Sequence, residues 1–517
     1  MALLLLAIRL SVDVRRKPIF EDEALAGLVA SQPFFDMLRT VVVDRGGAPL
    51  HFALAHLALL IDPSPAALRS VSVVAALLVP LVCLDLGNRL YGRTAGVAAA
   101  VLAASSQMLG IYGSFGRMYA VFALAAAVST DLFVRATQLR TAGAALTAAV
   151  AAWVLLAVHP FGAALVAAEA VVAVFLWRGR NLRAAIPVAV VGLAMLPFVY
   201  ADLRLADRFS ASLSGQQELV APEHASAVLV RALGGFAGGR EPFFFLFVAL
   251  AVVGAIALYR RERAFLALAA LGFLSLPALL VATRGDQNFS DHFASRQLIF
   301  VLPLWIGLVA AGFARGVHRL SPPLQGLCLI GLTVAALIAP QVVPDPRTAP
   351  SGSRDALAAP AEWLLATVPR DAVVFPASPA FLAALPATRH ASVLPREQPS
   401  LVQRAVQRAT LPTPAVIVAI PLEGVHVDLG KLRASLGTGY RVRAYRYWLL
   451  AAALGPFSDR RSVLVAIERI VSASTAAIAP RTVRSQGFLR QSRASVCGAL
   501  RRLGGRCSDA PSLPASG

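Results

Sequence analysis

Three carboxylates, Glu21, Asp22 and Glu23, follow the first apolar run of a chain that is otherwise mostly hydrocarbon-compatible. Acids at such a place are either a solvated loop or a site where a carboxylate takes up a proton. Other polar residues recur where apolar runs begin or end: Asp44 and His51, Arg117 and Tyr119, His159, and Asp291, His292 and Arg296. Each has an ordinary explanation when taken singly. Arg and Tyr snorkel at a membrane boundary, and a His before Pro160 can simply end a helix. Together the residue types suit one chemistry: a carboxylate can draw the proton from an attacking hydroxyl, while arginine offers a fixed charge to a phosphate leaving group.

The elements that must position these groups are set by composition. The 517 residues are 57% hydrophobic and 15% charged, and mean hydropathy is +0.69. Apolar runs of roughly 20 residues match ~30 Å of hydrocarbon. The expected class is therefore an all-α polytopic membrane protein. A net charge of +20 would suggest a nucleic-acid partner in a soluble chain, but the arginines fall largely between apolar runs and in the C-terminal tail, so no nucleic acid is expected. Lys17 and Lys431 are the only lysines, and the abundance of Arg, Ala and Val resembles coding bias in a GC-rich bacterial genome. Cys83 and Cys328 lie inside apolar runs and read as packing residues, whereas Cys497 and Cys507 could pair if the tail faces an oxidising compartment.

In chain order, Met1 to Ser11 is about half the length needed to cross, so the first helix reads as clipped or the start as misplaced. It lacks the basic region and small-residue cleavage site of a signal peptide. The stretch 12–69 reads as an external loop carrying a short apolar piece from Pro49 to Ile61, expected to lie at the interface, with a short crossing as the alternative. Spans are expected near 70–88, 94–112, 118–134, 142–159, 162–177, 184–202, 242–259, 264–282, 297–314 and 322–343, about eleven with the first partial helix. Alternate loops then sort by charge. Arg89 and Arg93, Arg135 and Arg140, Arg178, Arg180 and Arg183, Arg260, Arg261 and Arg263, and Arg315 and Arg319 share one side, which the positive-inside rule makes cytoplasmic. The opposite, extracytoplasmic side then holds Asp22, Arg117, His159, Arg296 and the C-terminal portion. The glycine-rich run Gly234 to Gly239 reads as a flexible connection on that side.

Residues 1–343 thus form the expected membrane domain and 344–353 a linker. Residues 354–456 read as a small extracytoplasmic α/β domain, with helices at Asp355–Val368 and Val427–Leu436 and strands at Asp371–Pro376 and Ala415–Pro421. The basic remainder, 457–517, reads as a disordered tail with one amphipathic helix at Ser462–Val471. No internal repeat or pair of broken helices supports a transporter, and there is no phosphate-cradling loop, metal-ligand spacing or nucleophile elbow.

The ordered set Asp22-Glu23-Ala24, Ala48-Pro49-Leu50-His51-Phe52, Ala55-His56-Leu57, Arg69, Arg89-Leu90-Tyr91-Gly92-Arg93 and Gly116-Arg117-Met118-Tyr119-Ala120 resembles membrane glycosyltransferases of the GT-C superfold. The likeness is to the bacterial branch related to protein O-mannosyltransferases and lipid A aminoarabinose transferases. His159 and Arg296-Gln297-Leu298 ahead of Leu302-Pro303 resemble that family's later pattern. Ala48 and His51 depart from it, standing where Pro and Tyr are usual.

The resemblance implies inverting transfer of a sugar from a polyprenyl-monophosphate donor to an acceptor hydroxyl on a lipid, glycan or protein. The setting it implies is the outer face of a bacterial plasma membrane, among membrane lipids. On that reading Asp22 is the general base and Glu23 orients it. Arg117 and Arg296 stabilise the departing phosphate, Tyr119 and His159 line the pocket, and Asp44 and His51 contact substrate. No dedicated metal site is expected, although Asp22 and Glu23 could share a divalent ion. Two other readings stay open: a multi-pass lipid or saccharide transporter, and an inactive scaffold of the same fold.

Overall fold

The computed structural model describes residues 2–17, 21–44, 48–177, 192–197, 200, 225–239, 241–284, 296–338, 373–375, 416–419, 440–449 and 461–469. Contacts divide the chain into two compact units, one of residues 1–15 with 29–344 and one of 16–28 with 345–517.

The first unit is helical. Helix α1 (Ala2–Arg16) is longer than the apolar run that announced it, because Asp13, Arg15 and Arg16 continue its last turn. The expected loop that follows contains, besides the helix expected at 49–61, two more: α2 (Glu21–Ala30) and α3 (Phe34–Asp44) precede α4 (Leu50–Ile61). Of α2, only Val29 and Ala30 belong to the helical unit. The longest helix, α5 (Pro65–Tyr91), starts on an N-cap in which Ser64 Oγ accepts from the Ala67 N–H at 3.2 Å, with Pro65 in its first turn. A serine before proline is a strong start signal, since proline's fixed φ suits the first turn and its missing N–H costs nothing there.

The next expected span is broken. Helix α6 (Arg93–Ala104) ends at Ser105, and Ser106 caps the short α7 (Gln107–Tyr112). Ser106 also donates to the Gly235 carbonyl at 3.2 Å, which ties the break to a distant helix. Then come α8 (Tyr119–Leu139), α9 (Ala142–Val158) and α10 (Gly162–Trp177). Of the span expected at 184–202, residues 192–197 are helical and most of the rest lies outside the described residues.

Helix α11 (Ala225–Phe236) includes Gly234 and Gly235, so the glycine run ends a helix rather than making a loose connection. Gly238 and Gly239 take positive φ values of 128° and 59°, and the Gly239 N–H returns to the Gly234 carbonyl at 2.9 Å. Glycine closes a helix in this way because it has no Cβ to clash in the left-handed region. The unit is completed by α12 (Phe243–Leu258), α13 (Arg263–Arg284), a 3-10 turn (Leu298–Val301), α14 (Leu302–Val317) and α15 (Pro322–Ile338).

Among the described residues, three segments are by themselves long and apolar enough to cross a membrane: Pro65–Tyr91, Tyr119–Leu139 and Leu298–Val317. Seven shorter apolar helices accompany them, Leu50–Ile61 among them, so the expected count of about eleven spans is not reached by helix length alone.

Helices α12 and α14 approach backbone to backbone. A Cβ on Gly254 would strike the Leu308 carbonyl and lie 2.9 Å from the Gly312 nitrogen, and a Cβ on Gly312 would strike the Leu250 carbonyl. Lipid offers no hydrophobic drive for helix association, so close van der Waals contact through small residues holds such a pair. Gly312→Ala is expected to destabilise the fold by about 1–3 kcal/mol, because both obstructions are backbone and cannot rotate away. Gly326→Ala, where a Cβ meets nothing within 4 Å, should leave the thermal midpoint in detergent unchanged or slightly raised. Equal midpoints for the two variants would refute the close approach.

In the second unit, β1 (Val373–Phe375), β2 (Val416–Ala419), β3 (Tyr440–Leu449) and β4 (Arg461–Arg469) form one sheet in the order β1-β2-β4-β3. β1 runs parallel to β2 with Val373 opposite Ile417, and the other pairs are antiparallel, with Val418 and Val442 opposite Ala466 and Ile467. β1 and β2 fall within the two stretches expected as strands. The amphipathic helix expected at 462–471 is instead strand β4, flanked by β2 and β3. The helices expected at 355–368 and 427–436, and Cys497 and Cys507, lie outside the described residues.

Candidate functional site

The polar cluster of the helical unit is assembled by two chain reversals and one helix start. Residues 113–118 join α7 to α8 and carry Arg117, whose N–H donates to the Phe115 carbonyl at 2.7 Å. Ser72 Oγ of α5 donates to the Arg117 carbonyl at 3.0 Å and fixes the turn against the longest helix. Higher on the same helix the fully buried Arg69 donates from Nη1 to the Val14 carbonyl at 3.0 Å, joining α5 to the end of α1.

The second reversal is the tight link between α9 and α10. Pro160 pushes the preceding residue out of helical geometry, and His159 is extended at φ −157°, ψ 134°. Its N–H still donates to the Leu155 carbonyl at 3.2 Å, while the Phe161 N–H donates to His159 Nδ1 at 3.2 Å. That bond leaves Nδ1 without a proton, so the neutral ring carries its hydrogen on Nε2 and can donate from there.

The helix start is the 3-10 turn after Arg296, which runs directly into α14. The Arg296 Cζ lies 5.2 Å from the centroid of Tyr119, the first residue of α8, within cation–π range.

Aromatic rings enclose the cluster. His159 stacks on Phe122 with centroids 4.7 Å apart and 21° between planes, and lies 6.2 Å from Tyr119 and 5.4 Å from Phe161. Tyr112 and Phe115 pack on the other side of Tyr119 at 5.0 and 6.5 Å. Within this shell His159 is pushed down to about 3, by burial first and then by the Arg117 and Arg296 guanidinium groups. His51, buried in the first turn of α4, is likewise pushed down to about 3 by burial and then by Arg117, with the Gly116 backbone opposing.

Arg117, Tyr119, His159, Arg296 and His51 are therefore one group, although 245 residues separate the first from the last in sequence, His51 to Arg296. Two fixed positive charges act on one imidazole that stays neutral and donates. That combination favours an anion with several acceptor oxygens.

The remaining expected residues stand differently. Asp22 and Glu23 lie in the first turn of α2, in the second unit, and Glu23 is buried. Asp44 is the last residue of α3. The side chains of Asp22 and Asp44, and all of Asp291 and His292, lie outside the described residues. Among the described residues no three His, Cys, Asp or Glu side chains are grouped to hold a metal ion.

Two polar groupings were not anticipated from the sequence. Ser129 Oγ of α8 donates to both Glu169 oxygens of α10 at 2.8 and 3.0 Å, and Arg89 of α5 bridges Asp85 and Asp131. Glu169 and Asp131 lie about 40 residues from their partners, which spacing along one helix cannot reveal, whereas Asp85 and Arg89 stand four apart on α5, a spacing the sequence does show.

The two imidazoles make the fold sensitive to acid. Their unfolded value is near 6.5, so between pH 6.5 and about 3 the unfolded chain binds more protons, and stability is lost as pH falls through that window. The expected loss is up to about 1.4 kcal/mol per imidazole for each unit of acidification. His51→Leu should flatten the dependence of the thermal midpoint on pH between 7 and 5. A slope equal to the parent's would show that His51 is not held neutral.

No family model matches the chain, and no curated protein does. Among solved structures it is similar to ArnT from Cupriavidus metallidurans bound to undecaprenyl phosphate, with 14% identity and a TM-score of 0.50, over 93% of this chain and 98% of that one. The same protein in the apo state gives 13% identity and a TM-score of 0.49, over 90% and 97%. The oligosaccharyltransferase of Archaeoglobus fulgidus in the apo form gives 14% and 0.45, over 71% of this chain, which spans 58% of its length. The fold is thus that of the ArnT structure, a GT-C fold.

Proposed function

We propose that the protein is a membrane glycosyltransferase that moves a sugar from a polyprenyl-monophosphate carrier to an acceptor hydroxyl on the extracytoplasmic face. The observation that carries this reading is the convergence of Arg117 and Arg296 on the neutral, donating His159. The ArnT structure of like fold is bound to undecaprenyl phosphate, a carrier of the same chemical kind.

In the proposed reaction the Asp22 carboxylate takes the acceptor's hydroxyl proton while that oxygen attacks the anomeric carbon on the face opposite the phosphate. The new C–O bond forms as the old one breaks, and its electron pair leaves with the polyprenyl phosphate, so configuration inverts. Arg117 and Arg296 meet the developing negative charge, and His159 Nε2–H adds a hydrogen bond without adding charge. Glu23 orients Asp22. Tyr119 holds Arg296 by its ring face, and His51 and Asp44 contact substrate. A monophosphate leaving group can be served by such charges alone.

Polyprenyl-phosphate sugars incubated with membranes containing the protein should be consumed, each sugar transferred releasing one polyprenyl monophosphate. Movement of the intact lipid-linked sugar across the membrane with no such release would overturn the reading in favour of a transporter.

A further inference from the structure

Helices α5 and α8 run in the same direction, joined near their starts by Ser72 and Arg117 and farther on by Arg89 and Asp131. The 17 residues from Ser72 to Arg89 rise about 25 Å, so the second junction lies most of a bilayer away from the Arg117 cluster. Between the junctions is an open groove walled by Leu78, Leu81, Leu124 and Val128, with Asp85 and Asp131 lining its far part. Leu78 and Leu81 are 42% and 48% exposed, so the groove faces outward from the helices.

The polar end is built from three side chains. Arg89 donates from Nε to Asp131 Oδ1 at 3.0 Å and to Asp85 Oδ2 at 3.2 Å, and from Nη2 to Asp85 Oδ2 at 2.6 Å. Asp131 is almost wholly enclosed, with 9% of its side chain exposed, whereas half of the Asp85 side chain, 51%, is open. Two carboxylates share one guanidinium, which leaves the group one negative charge in excess, and Asp85 Oδ1, on the open acid, lies outside these bonds. Arg135, one turn beyond Asp131, forms no ion pair with either acid among the described residues. Arg89 also keeps Nη1 outside these bonds. An excess carboxylate beside hydrocarbon calls for a cation that brings N–H donors.

We propose that this groove docks an ethanolamine phospholipid: its primary ammonium meets Asp85, its phosphate meets Arg89 Nη1, and one acyl chain lies along Leu78, Leu81 and Leu124. A choline headgroup has no N–H to donate, and a glycerol headgroup adds negative charge where the groove already has an excess, so both fit less well. The site is independent of the Arg117 cluster and does not rest on the reaction proposed above.

The test is lipid retention by the purified full-length protein, read by native mass spectrometry after exposure to mixed vesicles of dioleoyl ethanolamine, choline and glycerol phospholipids. The parent protein should retain the ethanolamine lipid about tenfold over the choline lipid, the advantage expected of one charge-assisted hydrogen bond. Asp85→Asn, at a half-open position that leaves the Arg89 to Asp131 bond in place, should reduce that advantage to within about twofold at an unchanged thermal midpoint. Leu81→Trp, which fills the groove, should lower retention of ethanolamine lipid. Equal retention of the three lipids by the parent, preferential retention of the glycerol lipid, or an ethanolamine preference that survives Asp85→Asn would each overturn the proposal.

Discussion

Asp22→Asn is expected to lower sugar transfer by about 10²–10⁴-fold, the range that a positioned general base contributes. The amide matches the carboxylate in shape but has almost no affinity for the proton that the acceptor must lose. Position 22 is in the first turn of α2. Glu23→Gln should cost less, because in the proposed reaction Glu23 orients Asp22 and takes no proton itself. The measurement is release of polyprenyl monophosphate from labelled lipid-linked sugar, with expression and thermal midpoint matched to the parent. A native rate in Asp22→Asn would remove the general base from the mechanism and leave the Arg117 cluster to be explained as a lipid-phosphate binding site alone.

How far the sequence reveals this protein depends on the range of the interaction concerned. The apolar body of helix α5 was legible at 70–88 because its cue, a long apolar run ending at Arg89, is local, whereas its true start, Pro65 behind the Ser64 cap, fell inside the stretch read as loop. Arg117, Tyr119, His159 and Arg296 could be gathered on one side of the membrane because each sits at the end of an apolar run, and the structure does bring these four together. What spacing could not provide is their mutual geometry. The 5.2 Å approach of Arg296 to Tyr119 and the stacking of His159 on Phe122 are set by packing of α8, α9 and the 3-10 turn.

Strand β4 shows a different limit. In Arg461-Ser462-Val463-Leu464-Val465-Ala466-Ile467-Glu468-Arg469 the apolar residues are continuous, so Leu464 and Ile467 satisfy a helical period while Val463, Val465 and Ile467 satisfy a strand's. The β-branched residues fall on the period of two, and pairing with both β2 and β3 decides the matter. The break between α6 and α7 was hidden for a related reason. Ser105 and Ser106 are tolerated inside a helix, and only the bond from Ser106 to the Gly235 carbonyl, 129 residues away, shows why the chain stops there.

Arg296→Gln is expected to lower transfer by about 10²–10³-fold, the cost typical of removing one donor from the group that stabilises developing negative charge. Charge alone is not the whole contribution. Arg296→Lys keeps the cation but loses the planar fork that can meet two phosphate oxygens and lie against the Tyr119 ring, so it should recover only part of the rate. The ring can be tested separately. Tyr119→Phe preserves the face that supports Arg296 and should stay within about twofold of the parent, whereas Tyr119→Leu removes it and should cost about 3- to 30-fold, equivalent to ~0.5–2 kcal/mol of cation–π attraction.

Arg117→Gln should resemble Arg296→Gln in rate. The double variant should lose less than the product of the two, because both guanidinium groups act on the His159 ring and, in the proposed reaction, on one phosphate. Steady-state rates at saturating and limiting donor separate a loss of turnover from a loss of binding. If Arg296→Gln and Arg117→Gln each kept the native rate, the leaving phosphate would have to be served elsewhere. Strictly multiplicative losses would instead place the two arginines on different groups of the substrate.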